Sequence, residues 1–358
     1  MQSDSFDFLK RLVEAPSPSG YERPAIRIYR DYVKLYADEV AVDTLGNASA
    51  ILAGQGQGPR VMLSGHCDEV GFMVQYIDEQ GFIFFSSIGG IDLHLVPGHR
   101  VRIHTRNESI PGVIGRKPIH LMEAEERKKV ASITELYIDI GAKDKKEVEE
   151  QVMVGDPVTF DVGLAKLKND LICSRALDDK IGAFVVAETL RMARQGGNNF
   201  HGQLVSVATV QEEIGVRGAV TSAYHHKPDL GIAVDVGFAT DQPGIDKKKV
   251  GDLAIGKGPI ITRGANINPM VFDLLIKAAR EESIPCQIEG APRSTGTDAS
   301  AMQLSRRGVA SALVSIPCRY MHTPVEVVSL HDIENTTRLL LAFIRKLPAE
   351  ISFIPFEE

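Results

Sequence analysis

Tryptophan is absent from this 358-residue chain. Sugar-processing sites commonly stack their ligand on aromatic rings, so its absence argues against carbohydrate chemistry. Cysteine is scarce: Cys67, Cys173, Cys286 and Cys318 are scattered, with no CxxC spacing. That excludes a thiolate metal knuckle and a disulfide framework, and it fits reduced thiols in a cytoplasmic protein. No apolar run approaches the roughly 20 residues needed to cross a bilayer. The start, Met-Gln-Ser-Asp-Ser-Phe-Asp, lacks the basic and apolar pattern of a secretion signal. A basic excess is also missing. The net charge of −7 argues against nucleic-acid or anionic-membrane partners, both of which select a basic face.

What remains is an ordinary globular composition, long enough for two domains. Residues 5–14 and 22–37 show the periodicity of helices, and short strands are expected near 40–43, 48–52 and 61–64. After Gly71 the texture changes to short β-like runs separated by Gly, Pro and Asn, such as Phe82-Ser86, Arg100-Ile103 and Pro157-Phe160. From about Leu171 strands and helices alternate again, ending in a helix over His331-Lys346. The expected fold is α/β: a mixed-sheet α/β/α catalytic domain from residues 1–70 and 163–358, with a small β-rich domain, 71–162, inserted into it. The charged stretch around Glu123-Lys129 in the insert reads as a helix or a mobile surface loop, with a solvated loop as the plain alternative.

Chemistry concentrates at the ends of apolar runs. In Val61-Met-Leu-Ser-Gly-His-Cys-Asp-Glu-Val-Gly71 a buried strand is expected to end in a small-residue turn, followed by His66 and Asp68. Residues two apart on extended backbone face the same way, so imidazole and carboxylate share one site and Cys67 faces away. Four further stretches carry acids or histidine in similar places: Arg175-Ala-Leu-Asp-Asp-Lys180, Val210-Gln-Glu-Glu-Ile-Gly215, Ile232-Ala-Val-Asp-Val-Gly237 and Arg319-Tyr-Met-His-Thr-Pro324. Groups in α/β sheets collect outside the carboxyl ends of strands, so all five stretches can converge on one edge.

Two histidines and several carboxylates suit zinc, cobalt or manganese. The acids are too many for one tetrahedral ion, and a two-ion site with a bridging carboxylate fits the count. In the pair Glu212-Glu213, one glutamate can bind metal while the other moves protons. Each residue alone has an ordinary reading: Asp178 and Asp179 as an N-cap and first-turn pair, Asp235 as a turn residue, His322 as a surface histidine. Only the ordered set outweighs these. Asp298 reads equally as a helix N-cap or as part of the site wall.

The six motifs Gly65-His-Cys-Asp-Glu-Val-Gly71, Arg175-Ala-Leu-Asp-Asp-Lys180, Gln211-Glu-Glu-Ile-Gly215, Asp235-Val-Gly237, Ser294-Thr-Gly-Thr-Asp-Ala299 and Arg319-Tyr-Met-His-Thr-Pro324, in this order over essentially the full length, resemble the tetrahedral (TET) aminopeptidases. Members of that family carry labels such as glutamyl aminopeptidase, endoglucanase and cellulase M. The resemblance implies two divalent metal ions, zinc or cobalt with manganese as an alternative. His66 and Asp235 would hold one, Glu213 and His322 the other, and Asp178 would bridge them. It further implies Glu212 as general base and acid, and Asp68 behind His66 holding its ring. The activity implied is removal of N-terminal residues from short peptides by a metal-activated water. The insert resembles a PDZ-like dimerisation domain, and dimers of such proteins build hollow tetrahedral dodecamers.

Alternatives stay open at this stage. A related co-catalytic deacylase or carboxypeptidase would share the ligand order. In those enzymes, however, an extra domain follows the glutamate pair, whereas here the insert lies between His66 and Asp178. Glycoside hydrolysis needs two unligated carboxylates across a sugar bond. A non-catalytic scaffold would not need an intact ligand set. An acidic N-terminal residue would call for a basic pocket, for which Arg263, Arg293 and Arg319 are candidates. His120-Lys129 is also a candidate to reach a neighbouring subunit's site.

Overall fold

The computed structural model describes residues 1–355. The first part of the chain runs α1 (Ser3–Glu14), α2 (Arg23–Val33), β1 (Glu39–Val42), β2 (Ala48–Ala53) and β3 (Arg60–His66). There follow β4 (Gly71–Ile77), β5 (Ile83–Ile88), β6 (Arg100–His104), β7 (Ser109–Gly115), β8 (Tyr137–Asp139), α3 (Lys145–Glu149) and β9 (Pro157–Phe160). Next come β10 (Ala165–Lys166), β11 (Leu171–Ser174), α4 (Leu177–Gln195), β12 (Gln203–Thr209), α5 (Arg217–His226), β13 (Leu230–Phe238) and α6 (Lys247–Val250). The chain closes with β14 (Ile260–Gly264), α7 (Pro269–Glu281), β15 (Gln287–Ala291), α8 (Asp298–Gln303), β16 (Ala310–Cys318), β17 (Glu326–Ser329) and α9 (Leu330–Lys346).

Eight strands form one mixed sheet in the order β1-β2-β12-β3-β13-β16-β14-β15. Its centre, β12-β3-β13-β16, is parallel throughout. Buried on both faces, these strands read as near-continuous apolar runs such as Leu204-Val-Ser-Val-Ala208. Successive side chains of β3 show the layering. Ser64 points to Met302 of α8, while the face at Gly65 lies against Gly182 and Ala183 of α4. Helix α4 is buried over nearly its whole length, and the charged side chains it buries there are paired, Lys180 with Glu69 and Glu188 with Arg191.

Between β3 and α4, six antiparallel strands close into a barrel, β4-β5-β8-β7-β6-β9. Phe72, Phe85 and Phe160 fill it edge-to-face, and its core is separate from that under the main sheet. The charged stretch at 120–129 lies on its outside as exposed turns, one of them a 3-10 turn at Glu126–Lys128.

Several boundaries differ from the sequence expectation for identifiable reasons. Strand β3 runs on through Gly65 to His66 because β12 pairs with it up to Thr209 opposite His66; the turn comes later. Helix α5 is unannounced: its first residue follows Val216 in a left-handed conformation, and its own sequence is weakly amphipathic. A third, small sheet β10-β11-β17 stacks beside the sandwich and carries the residues after His322 back under α4.

Candidate active site

Parallel register assembles the site. His66 ends β3, Gln211-Glu-Glu213 follow β12, Asp235 lies late in β13, and His322 comes four residues after β16. All leave the sheet at the same edge. Asp178 enters from the start of α4, where it and Asp179 keep non-helical backbone angles and are joined by a cis peptide bond.

The seven residues singled out as catalytic or metal-binding meet there. His66 Nε2 lies 3.2 Å from Asp178 Oδ1, 3.8 Å from Glu212 Oε2 and 4.0 Å from Asp235 Oδ1. His322 Nε2 lies 3.2 Å from Asp178 Oδ2 and 3.4 Å from Glu213 Oε1. Asp178 therefore stands between the two histidines with one oxygen toward each. Ligand-capable atoms of His66, Asp178 and Glu213 come within 4.8 Å of one another, and so do those of His66, Asp179 and Asp235.

Asp68 does more than face the ring. Its Oδ1 lies 3.5 Å from His66 Nδ1, whereas its own backbone carbonyl is closer, at 3.1 Å. Its carboxylate instead accepts the N–H of Glu212 (3.0 Å), the N–H of Glu213 (3.1 Å) and the hydroxyl of Ser19 (2.7 Å). Asp68 thus fixes the backbone of the glutamate pair as well as the histidine strand.

Three other buried carboxylates hold backbone in the same way, and sequence reasoning missed them. Asp179 accepts the N–H of His66 (3.1 Å) and of Gly182 (3.0 Å). Glu69 accepts the N–H of Ser17 (2.9 Å) and Lys180 Nζ (2.9 Å), and it pairs with Arg175. Glu326 accepts the N–H of Asp178 (3.0 Å) and of His322 (2.9 Å). The available signal was a charged residue inside an apolar run, Val325-Glu-Val-Val328 for Glu326, since charge is rarely buried without a use.

Asp298 is the first residue of α8, and its side chain turns inward to accept Thr209 Oγ1 (2.7 Å) rather than capping its helix. Arg319 is held by Asp241 at 2.5 and 2.9 Å, and Arg263 lies over the Phe272 ring, so both are engaged elsewhere. Arg293 is exposed in the loop before Ser294. Lys117, Glu125, Glu126 and Lys128 form ion pairs among themselves in and beside the 120–129 stretch. The barrel does reach the site through another loop: a Cβ on Gly90 would sit 3.6 Å from His322 Nδ1, and one on Gly89 3.4 Å from Glu213 Cβ.

The electrostatics are those of an anionic surplus. Burial, reinforced by Asp235, Asp298 and Glu213 against the charge of His66, pushes Glu212 up to about 9. Burial and Asp178 push Asp235 up to about 8, against His66. The carboxylates of Asp178 and Glu213 facing its ring raise His322 to about 11. For His66 burial opposes the charged ring, but Asp178 and Asp68 outweigh it and hold the ring well above its ordinary value. Glu213 Oε1 and Asp298 Oδ1 are buried without a hydrogen-bond partner. Imidazole nitrogens facing carboxylate oxygens with an unused lone pair form the donor set of a borderline divalent cation, so the residues fit such ions.

An α/β/α sandwich with two histidines flanking an aspartate at the carboxyl edge of its parallel strands has the makings of a metallopeptidase. The chain belongs to the M42 glutamyl aminopeptidase family, whose model matches residues 46–339. It is 38% identical to the lysyl aminopeptidase of Pyrococcus furiosus over 96% of this chain and 97% of that one. Its fold superposes on the crystal structure of a TET aminopeptidase from a marine-sediment Thaumarchaeota archaeon, with TM-score 0.91, 36% identity and 96% of each chain covered. It also matches the TET1 peptidase of Pyrococcus horikoshii, which can assemble into a tetrahedron or a large octahedral shell; the TM-score is 0.85 at 30% identity over 96% of this chain and 100% of that one.

Proposed function

We propose that this chain is a metal-dependent aminopeptidase that removes residues from the free N-termini of short peptides. The observation that carries the reading is the meeting of His66, Asp178, Glu212, Glu213, Asp235 and His322 at one sheet edge. His66 and Asp235 would hold one divalent ion, Glu213 and His322 a second, with Asp178 between them. Zinc or cobalt suits these ligands best, and manganese is an alternative. When bound, such ions supply Lewis acidity toward a carbonyl oxygen and acidify water.

Glu212 reaches the site centre with its carboxylate 3.8 Å from His66 Nε2 and is assigned proton transfer. It takes a proton from the attacking water and delivers it to the departing amine. Asp68 keeps Glu212 in reach by holding its backbone N–H. The crowd of carboxylates favours a cationic α-amino group over a blocked one, which is the basis for choosing free N-termini.

Residues 1–70 and 163–358 are assigned to the catalytic domain, and 71–162 to a domain for self-association into dimers and tetrahedral dodecamers. Support comes from the barrel's separate core and from the assembling TET1 relative. A cytoplasmic location belongs to the same reading, supported by the four unpaired cysteines. The test is hydrolysis of aminoacyl-p-nitroanilides, free and N-acetylated, by chelator-stripped enzyme titrated with zinc, cobalt or manganese. Metal-restored cleavage of free-amine substrates alone is expected. Cleavage of the acetylated series would move the assignment to a deacylase, and no cleavage with any ion would overturn it.

A further inference from the structure

We propose that Glu326 is a positioning residue that sets the spacing between Asp178 and His322, and thereby the affinity of the ion assigned to Glu213 and His322. The inference rests on the two-ion reading above. Glu326 is 1% exposed, and its hydrogen bonds are two backbone amides. Oε2 takes the N–H of Asp178 at 3.0 Å and Oε1 the N–H of His322 at 2.9 Å. These residues lie 144 positions apart in the chain. One carboxylate therefore clamps a residue at the start of α4 to a residue in the loop after β16.

Both ends of the clamp need holding. His322 and Tyr320 adopt left-handed backbone angles, φ +62° each, and so does Ala176 two residues before Asp178, φ +58°. Such angles are strained for non-glycine residues, so contacts that hold these two loops in place have a task to perform. With the clamp in place the His322 ring points at Asp178 Oδ2, 3.2 Å away, and at Glu213 Oε1, 3.4 Å away. A carboxylate suits this task because it accepts at both oxygens and donates at neither when ionised. Glutamine would turn an NH2 group against one of the two amides. Glu326 sits in β17, opposite Ser174 of β11, so the strand pairing fixes the clamp itself. Its contacts lie on the His322 side of Asp178; the His66 side is framed by Asp68 and Asp179.

The experiment compares wild type, Glu326→Gln, Glu326→Asp and Glu188→Gln as full-length protein. Each is stripped of metal and titrated with cobalt(II), read by visible absorption and by metal content after dialysis. Glu188 is a control buried carboxylate, paired with Arg191 on α4. Wild type and Glu188→Gln are expected to bind two ions per chain. Glu326→Gln is expected to bind one ion normally and the second about 10–100-fold more weakly, with turnover recovered in excess cobalt. Normal binding of both ions by Glu326→Gln, or equal weakening of both, would overturn the proposal. If Glu326→Gln does not fold, Glu326→Asp is judged by the same two criteria. A wild-type chain that takes up fewer than two ions would sink the two-ion reading itself, and the role of Glu326 with it.

Discussion

Gly65→Ala should cripple the site without touching a reacting group. A Cβ at Gly65 would lie 2.3 Å from the Ala183 nitrogen, 2.3 Å from the Gly182 carbonyl carbon and 2.7 Å from the Gly182 oxygen. These are helix backbone atoms and cannot rotate aside. Ordinary contact needs 3.4 Å or more, so β3 and α4 must part by about 1 Å. Overpacking of this kind costs roughly 1–3 kcal/mol. The same movement draws His66 away from Asp178 (3.2 Å) and from Asp179, which holds the His66 N–H at 3.1 Å. A displacement of about 1 Å in a catalytic constellation costs roughly 100-fold in rate. The assay is kcat/KM on a free aminoacyl-p-nitroanilide at saturating metal, alongside thermal melting. The matched control is Gly290→Ala in β15, where a Cβ meets nothing within 4 Å; it should leave both readouts near wild type. A Gly65→Ala enzyme that keeps kcat/KM within about threefold of wild type would refute the coupling of this contact to the site, whether or not its melting temperature falls.

Three further outcomes are expected. Glu212→Gln should lose about 10²–10⁴ in kcat while metal content stays at the wild-type value; loss of metal would contradict its assignment to proton transfer. Removal of metal by a chelator should lower the melting temperature as well as abolish activity, since ligands that bind only the folded state stabilise it by about 2.7 kcal/mol at 100 times their Kd; an unchanged melt would mean that no ions are resident. His104 in the barrel, hydrogen-bonded to Thr159 and Ser109, is pushed down to about 4 by burial and by the Arg175 charge. The unfolded chain then takes the proton first, so stability is complete above about pH 6.5 and is lost as pH falls toward 4, by up to about 3 kcal/mol. Denaturant titrations from pH 4 to 8 should show a shallower slope for His104→Gln, and identical slopes would discard the assignment.

The parts of the site that were legible in sequence share a physical signature. His66, Glu212, Glu213 and Asp235 each end an apolar run, and a parallel sheet sends all such ends to one edge. The alternation of strands and helices likewise announced the layered fold, and the change of texture after Gly71 marked the stretch that closes into a barrel. What stayed hidden depends on long-range pairing. Glu326 looks like one charge in a short strand until β11 and β17 pair and carry it beneath Asp178. Asp179 looks like half of a helix cap until the strand at His66 comes within reach of its carboxylate. The approach of Gly89 and Gly90 to Glu213 and His322 requires the barrel to be docked, which no local pattern encodes.

Hydrogen-bond accounting then separates carboxylates that residue type alone cannot. An ionised carboxylate has about four acceptor sites and no donor. Asp68 spends its oxygens on two amides, a hydroxyl and the edge of an imidazole, and Glu326 points both of its oxygens at amides. Such groups hold backbone and have little left to offer an ion. Asp178 meets only imidazole nitrogens through its side chain, and Glu213 keeps a buried oxygen with no hydrogen-bond partner. That oxygen faces only the His322 ring, 3.4 Å away, and burying it without a full hydrogen bond costs about 1–3 kcal/mol, a penalty that a bound cation would remove. For these four acids the role follows from what already occupies their oxygens: Asp68 and Glu326 frame the site, and Asp178 and Glu213 face its centre.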